Sequence, residues 1–128
     1  MSSNVEANKA LIKAFYERVM NGHDFTNHSE FITDDFKSHR AERSLEGGEN
    51  WINTFGHIVK SYMPNFKSEI KHILAEGDEV WVYSEILNSG ECVQGKRRVS
   101  VDRFHFKNGK VAEHWDIQQN VDPATYTI

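Results

Sequence analysis

Residues 49–75 read ENWINTFGHIVKSYMPNFKSEIKHILA, and the hydrophobic period changes inside them. Before Pro64, Trp51, Ile52, Phe55, Ile58, Val59 and Tyr62 fall at i, i+1, i+4, i+7, i+8 and i+11, the wide apolar stripe of an amphipathic helix. Pro64 ends it, because its ring fixes φ and it has no N–H to give. Beyond Pro64 the repeat drops from about 3.6 residues to about 2 and stays there, which replaces helix by sheet. Phe66 to Ala75 alternates with Ile70, His72 and Leu74 on one side. Glu76-Gly77-Asp78 turns the chain into Val80 to Leu87, and the two runs make a hairpin. Asn88-Ser89-Gly90 breaks the pattern. Arg98 to Phe106 and Val111 to Gln118 form a second hairpin across Lys107-Asn108-Gly109, where Asn-Gly favours a tight turn. Asp122-Pro123 begins a loose tail.

Upstream, Ala7, Leu11, Ala14, Phe15 and Val19 recur at three- and four-residue steps and predict a first helix over Asn4 to Met20. Ser3 or Asn4 caps its start, and Asn21-Gly22 supplies a left-handed residue at its end. A short helix is expected between Asp24 and Ile32, and a brief strand over Phe36 to Arg40. Helices first and antiparallel strands after is an α+β order, since parallel βαβ units would alternate the two. The expectation is a single domain over residues 1–128, with a curved antiparallel sheet wrapped around N-terminal helices to enclose a pocket.

Composition narrows the function. A net charge of −4 lacks the electrostatic footprint that nucleic acid or an anionic membrane surface requires. Lys96-Arg97-Arg98 reads as a solvated strand entry. Cys92 stands alone, so no intrachain disulfide forms. No run approaches the roughly 20 apolar residues of a membrane span, and no basic segment precedes an apolar one at the N-terminus, so a cytoplasmic location is expected.

The last hairpin poses a question of sidedness. Val111, Trp115 and Ile117 share a face with Glu113, while Ala112, His114, Asp116 and Gln118 share the other. Val99 and Val101 fall with Arg103 and His105; Ser100, Asp102, Phe104 and Phe106 fall opposite. Neither face is cleanly apolar, and periodicity alone leaves open which one is buried.

Residues 101–116, VDRFHFKNGKVAEHWD, resemble the C-terminal signature of SnoaL-like proteins, the polyketide-cyclase relatives in the nuclear-transport-factor-2-like superfamily. The resemblance extends to the helix ending Asn21-Gly22, the Asp34-to-His39 stretch and the Gly48-to-Tyr62 helix. It implies a cone-shaped α+β barrel whose concave sheet face lines a pocket. Similarity to ketosteroid isomerase, in which an aspartate base works with an oxyanion hole holding a protonated aspartate, places Asp102 at the oxyanion-hole aspartate and His39 at the general base. Tyr16 is then a candidate for the oxyanion-hole tyrosine, and His114, Asp116 and Gln118 face the pocket. Many members of the family carry Thr-His-Thr-Gly where this chain has Leu87-Asn88-Ser89-Gly90, so that histidine is missing.

Proton abstraction beside a carbonyl needs a base tuned near neutral pH and a donor for the enolate oxygen. The expected roles are His39 as base, Asp116 as acid/base partner, Asp102 as oxyanion donor when protonated, and His114 as an orienting group. Phe15, Trp51, Phe55, Phe104 and Phe106 would line the cavity. His114-x-Asp116 with His39 also has the composition of a two-histidine, one-carboxylate metal site, but the resemblance implies chemistry without metal or cofactor. The expected function is aldol-type cyclisation or isomerisation of a small apolar carbonyl compound; the alternative is a non-catalytic module binding a small apolar ligand. Inward Asp102, His114 and Asp116 would leave Val99, Val101, Trp115 and Ile117 on the convex face, which predicts a homodimer through that face.

Overall fold

A computed structural model describes residues 4–40 and 43–128. The elements in order are α1 (Val5–Phe15), a π-helical turn (Tyr16–Asn21), a 3-10 turn (His28–Glu30), β1 (Ile32–Arg40), β2 (Arg43–Glu46), α2 (Gly48–Tyr62), β3 (Lys67–Glu76), β4 (Glu79–Leu87), β5 (Arg97–Lys107) and β6 (Lys110–Val121). The strands form one sheet in the order β2-β1-β6-β5-β4-β3. Every pair formed among the strands after Pro64 is antiparallel, as the change of period predicts. The sheet as a whole is mixed, because β1 lies parallel to β6. It is curved and does not close, since β2 and β3 are its two edges.

The main core joins Ile12, Phe15, Tyr16 and Val19 from the first helical segment and Trp51 and Ile52 from α2 to one sheet face, represented by Phe36, Val80, Val82, Phe104, Phe106 and Val111. A smaller cluster of Val59, Phe66 and Ile86 seals the far end. Each large side chain buried this fully contributes about 1.5–3 kcal/mol, so the helices are held by the apolar stripes that the sequence displays.

Several boundaries differ from the sequence reading. The α-helical part of the first helix ends at Phe15 and the chain widens into the π turn, which carries the buried Tyr16 and Val19. The left-handed residue is His23, at φ 56°, and Gly22 is right-handed at φ −83°. Gly22 is needed for another reason: a Cβ there would lie 2.6 Å from the Arg18 carbonyl oxygen. Asn4 makes no side-chain capping bond, and Ser3 lies outside the described residues. Only the 3-10 turn forms between Asp24 and Ile32, while β1 begins four residues before Phe36 and β2 follows it unforeseen.

Bulges in β3 and β6 reset side-chain alternation. In β3 one extra residue sits between Ile70 and His72, so Ile70 packs on the core while Leu74 is exposed. In β6 an extra residue opposite His105 and Phe106 turns Val111 inward, away from the face that Trp115 and Ile117 take. A bulge of one residue reverses the parity of everything beyond it, which is why Val111 reads in the sequence as sharing a face with Trp115 and Ile117 although it packs inward. The Asn108-Gly109 turn has φ 54° and 80°, both positive as a tight hairpin of this kind requires. The C-terminal tail folds back, with the Tyr126 and Tyr83 hydroxyls 2.9 Å apart.

Candidate active site

The concave sheet face and the helices enclose a cavity of about 180 Å³, somewhat larger than the roughly 150 Å³ known to admit benzene. Phe15, Trp51, Phe55, Ile58, Met63 and Phe104 form apolar walls. Phe15, Trp51 and Phe104 pack around one another, with Phe15 6.1 Å from Trp51 and 6.5 Å from Phe104. Tyr16 and Gln118 line the cavity as expected, but Phe106 lies in the core beyond it.

Polar groups come from three adjacent strands. The parallel register sets Ser38 level with His114 and Arg40 level with Asp116. The antiparallel one sets Asp102 opposite Asp116 and Phe104 opposite His114. All of these side chains line the cavity. His114 stacks on Phe104 at 4.9 Å, with Nε2 2.7 Å from Asp102 Oδ2 and Nδ1 2.9 Å from Ser38 Oγ. The Ser100 hydroxyl donates to Asp102 Oδ1 at 2.6 Å. Ser38, Ser100, Asp102 and His114 are all buried.

Asp116 is placed differently. Its Oδ2 accepts from the Gln118 amide at 2.9 Å and lies 3.9 Å from Arg40 Nε, whereas its Oδ1 is buried without a partner. Burial first, and then the neighbouring charge of Asp102, hold this carboxyl above the usual carboxylate range; His114, Arg40 and Gln118 oppose them. The Tyr16 hydroxyl is pushed well above the ordinary phenol range by burial and by the charges of Asp102 and Asp116, so it stays protonated and able to donate. Arg40 is held at the rim by both carboxylate oxygens of Glu91, at 2.7 and 2.9 Å.

The structure brings Asp102, His114 and Asp116 together and excludes His39. Along β1, Phe36, Ser38 and Arg40 point into the cavity, so His39 points out. Its ring stacks on Trp115 at 5.3 Å, with Nε2 2.6 Å from Glu113 Oε2 and Nδ1 2.9 Å from Ser44 Oγ. The base expected at His39 is therefore on the wrong side of the sheet, so the four polar groups do not converge on one cavity: Asp102, His114 and Asp116 meet there and His39 does not. Sequence reasoning missed Ser38, and it offered Arg40 only as a cation that could pair with Asp102, although the apolar Phe36 carries the signal: residues two and four beyond it share its face.

Asp102, His114 and Asp116 also offer one metal-ligand atom each within 4.8 Å of one another. A cation there would have to displace the proton shared by His114 and Asp102, and Arg40 already sets positive charge against Asp116. The donor set fits a hydrogen-bonded acid–base cluster better than a cation site. The two-histidine composition fails outright, because His39 is on the other face.

Comparison with solved structures places this architecture among cone-shaped relatives. A candidate SnoaL-like polyketide cyclase from Jannaschia sp. superposes with TM-score 0.77 at 18% identity, covering 93% of this chain and 90% of that one. A candidate ketosteroid isomerase from Kribbella flavida gives 0.76 at 16%, covering 93% and 82%. An LEH-like epoxide hydrolase from M. tuberculosis gives 0.70 at 15%, covering 91% and 81%. No curated protein matches. At such identities the likeness establishes the fold, and membership rests on the family model for SnoaL-like polyketide cyclase, which matches residues 10–125. With nearly the whole chain inside that match, the protein belongs to the SnoaL-like polyketide cyclase family.

Proposed function

We propose that the protein abstracts a proton next to the carbonyl of a small, largely apolar compound, without a cofactor, and so directs aldol-type cyclisation or isomerisation. The observation that carries this reading is Asp116, a carboxyl at the cavity wall with Oδ1 unpartnered and its proton affinity raised. A base with one committed oxygen and one free oxygen is oriented and still available, and a raised affinity suits it to take a proton from carbon and return it. Tyr16, which stays protonated, and the Arg40 guanidinium supply donors for the enolate oxygen. Asp102 accepts from Ser100 and is committed to His114, so its role here is to orient the imidazole, and the oxyanion-donor role passes to Tyr16.

A panel of small ketones and 1,3-dicarbonyl compounds would be screened by thermal shift, and binders followed by NMR in D2O for exchange at the carbon beside the carbonyl. Exchange that disappears in Asp116→Asn supports the reading. Binding without exchange in the parent protein would favour the alternative, a non-catalytic module for small apolar ligands, which the aromatic walls would serve equally well.

We also propose a homodimer through the convex face, where Ile117 and Leu74 are 74% and 73% exposed and Trp81 is 46% exposed. Val99, expected in this patch, is already buried. Trp115 is covered by the Arg103 guanidinium, 4.2 Å from its ring centre, and by the stacked His39.

A further inference from the structure

The acid–base reading leaves one part of the cavity without a task. Ser38, His114 and Asp102 form an unbroken hydrogen-bonded line, Oγ to Nδ1 at 2.9 Å and Nε2 to Oδ2 at 2.7 Å. Its polarity is fixed from the far end. Ser100 donates to Asp102 Oδ1, so Asp102 is held as an acceptor, and a carboxylate that only accepts is matched by an imidazole nitrogen that carries its hydrogen. His114 therefore donates through Nε2–H to Asp102 Oδ2. Its Nδ1 then carries the lone pair, and the Ser38 hydroxyl donates to it. The stack on Phe104 fixes the ring plane, and burial of all three groups keeps competing water away.

We propose that Ser38 is a nucleophile in a serine–histidine–aspartate relay, and that the cavity accepts small carboxylic esters with an apolar acyl group. A hydroxyl bonded to a base that is itself oriented by a third group is the arrangement that activates a serine, and it arises on unrelated folds. Ser38 Oγ adds to the ester carbonyl carbon as its proton passes to His114 Nδ1, and Asp102 steadies the imidazolium. The negative oxygen of the tetrahedral intermediate meets positive charge from Arg40, two residues along the same face of β1, and the Tyr16 hydroxyl. The bond to the alkoxide then breaks, and the alkoxide leaves as alcohol with the proton from His114. Water gives a proton to His114 and adds to the acyl carbon; the acid departs and Ser38 recovers its proton. The net change is ester plus water to acid plus alcohol. The Phe15, Trp51 and Phe55 walls suit an apolar acyl chain, and the volume limits it to a small one.

The experiment needs no enolisable compound, so it stands or falls separately from the Asp116 reading. Purified protein is treated with p-nitrophenyl butyrate, followed by nitrophenol release, and with an alkyl fluorophosphonate, followed by intact mass and peptide mapping. The expected results are a single phosphonyl adduct on Ser38 and nitrophenol release at least about 100-fold slower in Ser38→Ala and His114→Gln. Ser38→Cys keeps a nucleophile of similar size in place and should gain one butyryl group by mass. No adduct on Ser38, an adduct at another residue, or parental ester cleavage by a folded Ser38→Ala would overturn the proposal.

Discussion

Asp116 concentrates the acid–base chemistry at one residue. Its folded-state proton affinity is raised by burial and by Asp102, so the folded chain holds this proton more tightly than the unfolded one. That contribution to stability is present below the unfolded pKa, near 3.9, and is lost as pH rises through the raised folded value. Asp116→Asn imitates the protonated form. It should lower kcat for the proton transfer by at least about 100-fold and raise Tm by a few degrees at pH 8. The gain in Tm should shrink at pH 4, and paired melts at the two pH values check the sign. His39 provides the contrast. Held outside by Trp115, Glu113 and Ser44, it should leave kcat at the parental value when replaced by Ala, at a cost in stability below about 1 kcal/mol for a side-chain pair about one-third exposed. A denaturant midpoint beside a kinetic assay separates the two effects.

At the scale of elements, a row of side chains crosses the outer face of the sheet in register: Trp81, Arg103, Trp115 and His39 from β4, β5, β6 and β1. Arg103 covers Trp115 and is held by both oxygens of Glu79, at 2.9 and 2.6 Å. The hydrogen bonds from Arg103 are the main reason that the Glu79 carboxyl is pulled down to about 2. A depressed carboxylate stabilises the fold above its unfolded pKa, near 4.3, and ceases to do so as pH falls toward 2. Glu79→Gln should cost about 0.5–1 kcal/mol at pH 7, with the difference from the parent vanishing in acid, as urea melts at pH 7 and pH 2 would show. The turn after α1 has little slack. In Gly22→Ala the new methyl would meet the Arg18 carbonyl oxygen at 2.6 Å and the Glu17 carbonyl oxygen at 2.9 Å. Because both are backbone atoms, the π turn that carries Tyr16 must shift. We expect a loss of more than about 1 kcal/mol, with weaker ligand binding as Tyr16 moves, measurable by calorimetry.

For the whole molecule the convex face is the open question with a direct answer. A second copy laid on Ile117, Leu74 and Trp81 would remove from water the large apolar side chains that the sheet leaves out. A stable pair of this kind buries about 1,200–2,000 Å² in total. Sedimentation at micromolar concentration should show a dimer, and Ile117→Glu should convert it to a monomer without lowering intrinsic stability by more than about 0.5 kcal/mol, since the side chain is exposed in the isolated chain. A parent protein that sediments as a monomer would count against the interface.

The sequence by itself determined the two main helices, the two C-terminal hairpins and their order, though not β2 or the 3-10 turn before β1. The stripe from Trp51 to Tyr62, the stop at Pro64, the alternation beyond it and the Asn108-Gly109 turn are all written in residues a few positions apart, where period and turn chemistry act locally. The tight EHWD signature was enough to point to the family, and the strand parity it implied brings Asp102, His114, Asp116 and Gln118 to one cavity. Tertiary structure alone decided which β1 residue joins them. That depends on β1 lying parallel beside β6, a pairing across more than 70 residues of chain, and no local pattern encodes the partner of a strand. The bulges in β3 and β6 and the π turn at Tyr16 belong to the same class, since each inserts one residue's worth of rotation to fit a neighbour remote in sequence. Side-chain direction alternates with every residue, so a single step of register was enough to send His39 to the outer face and Ser38 and Arg40 to the cavity.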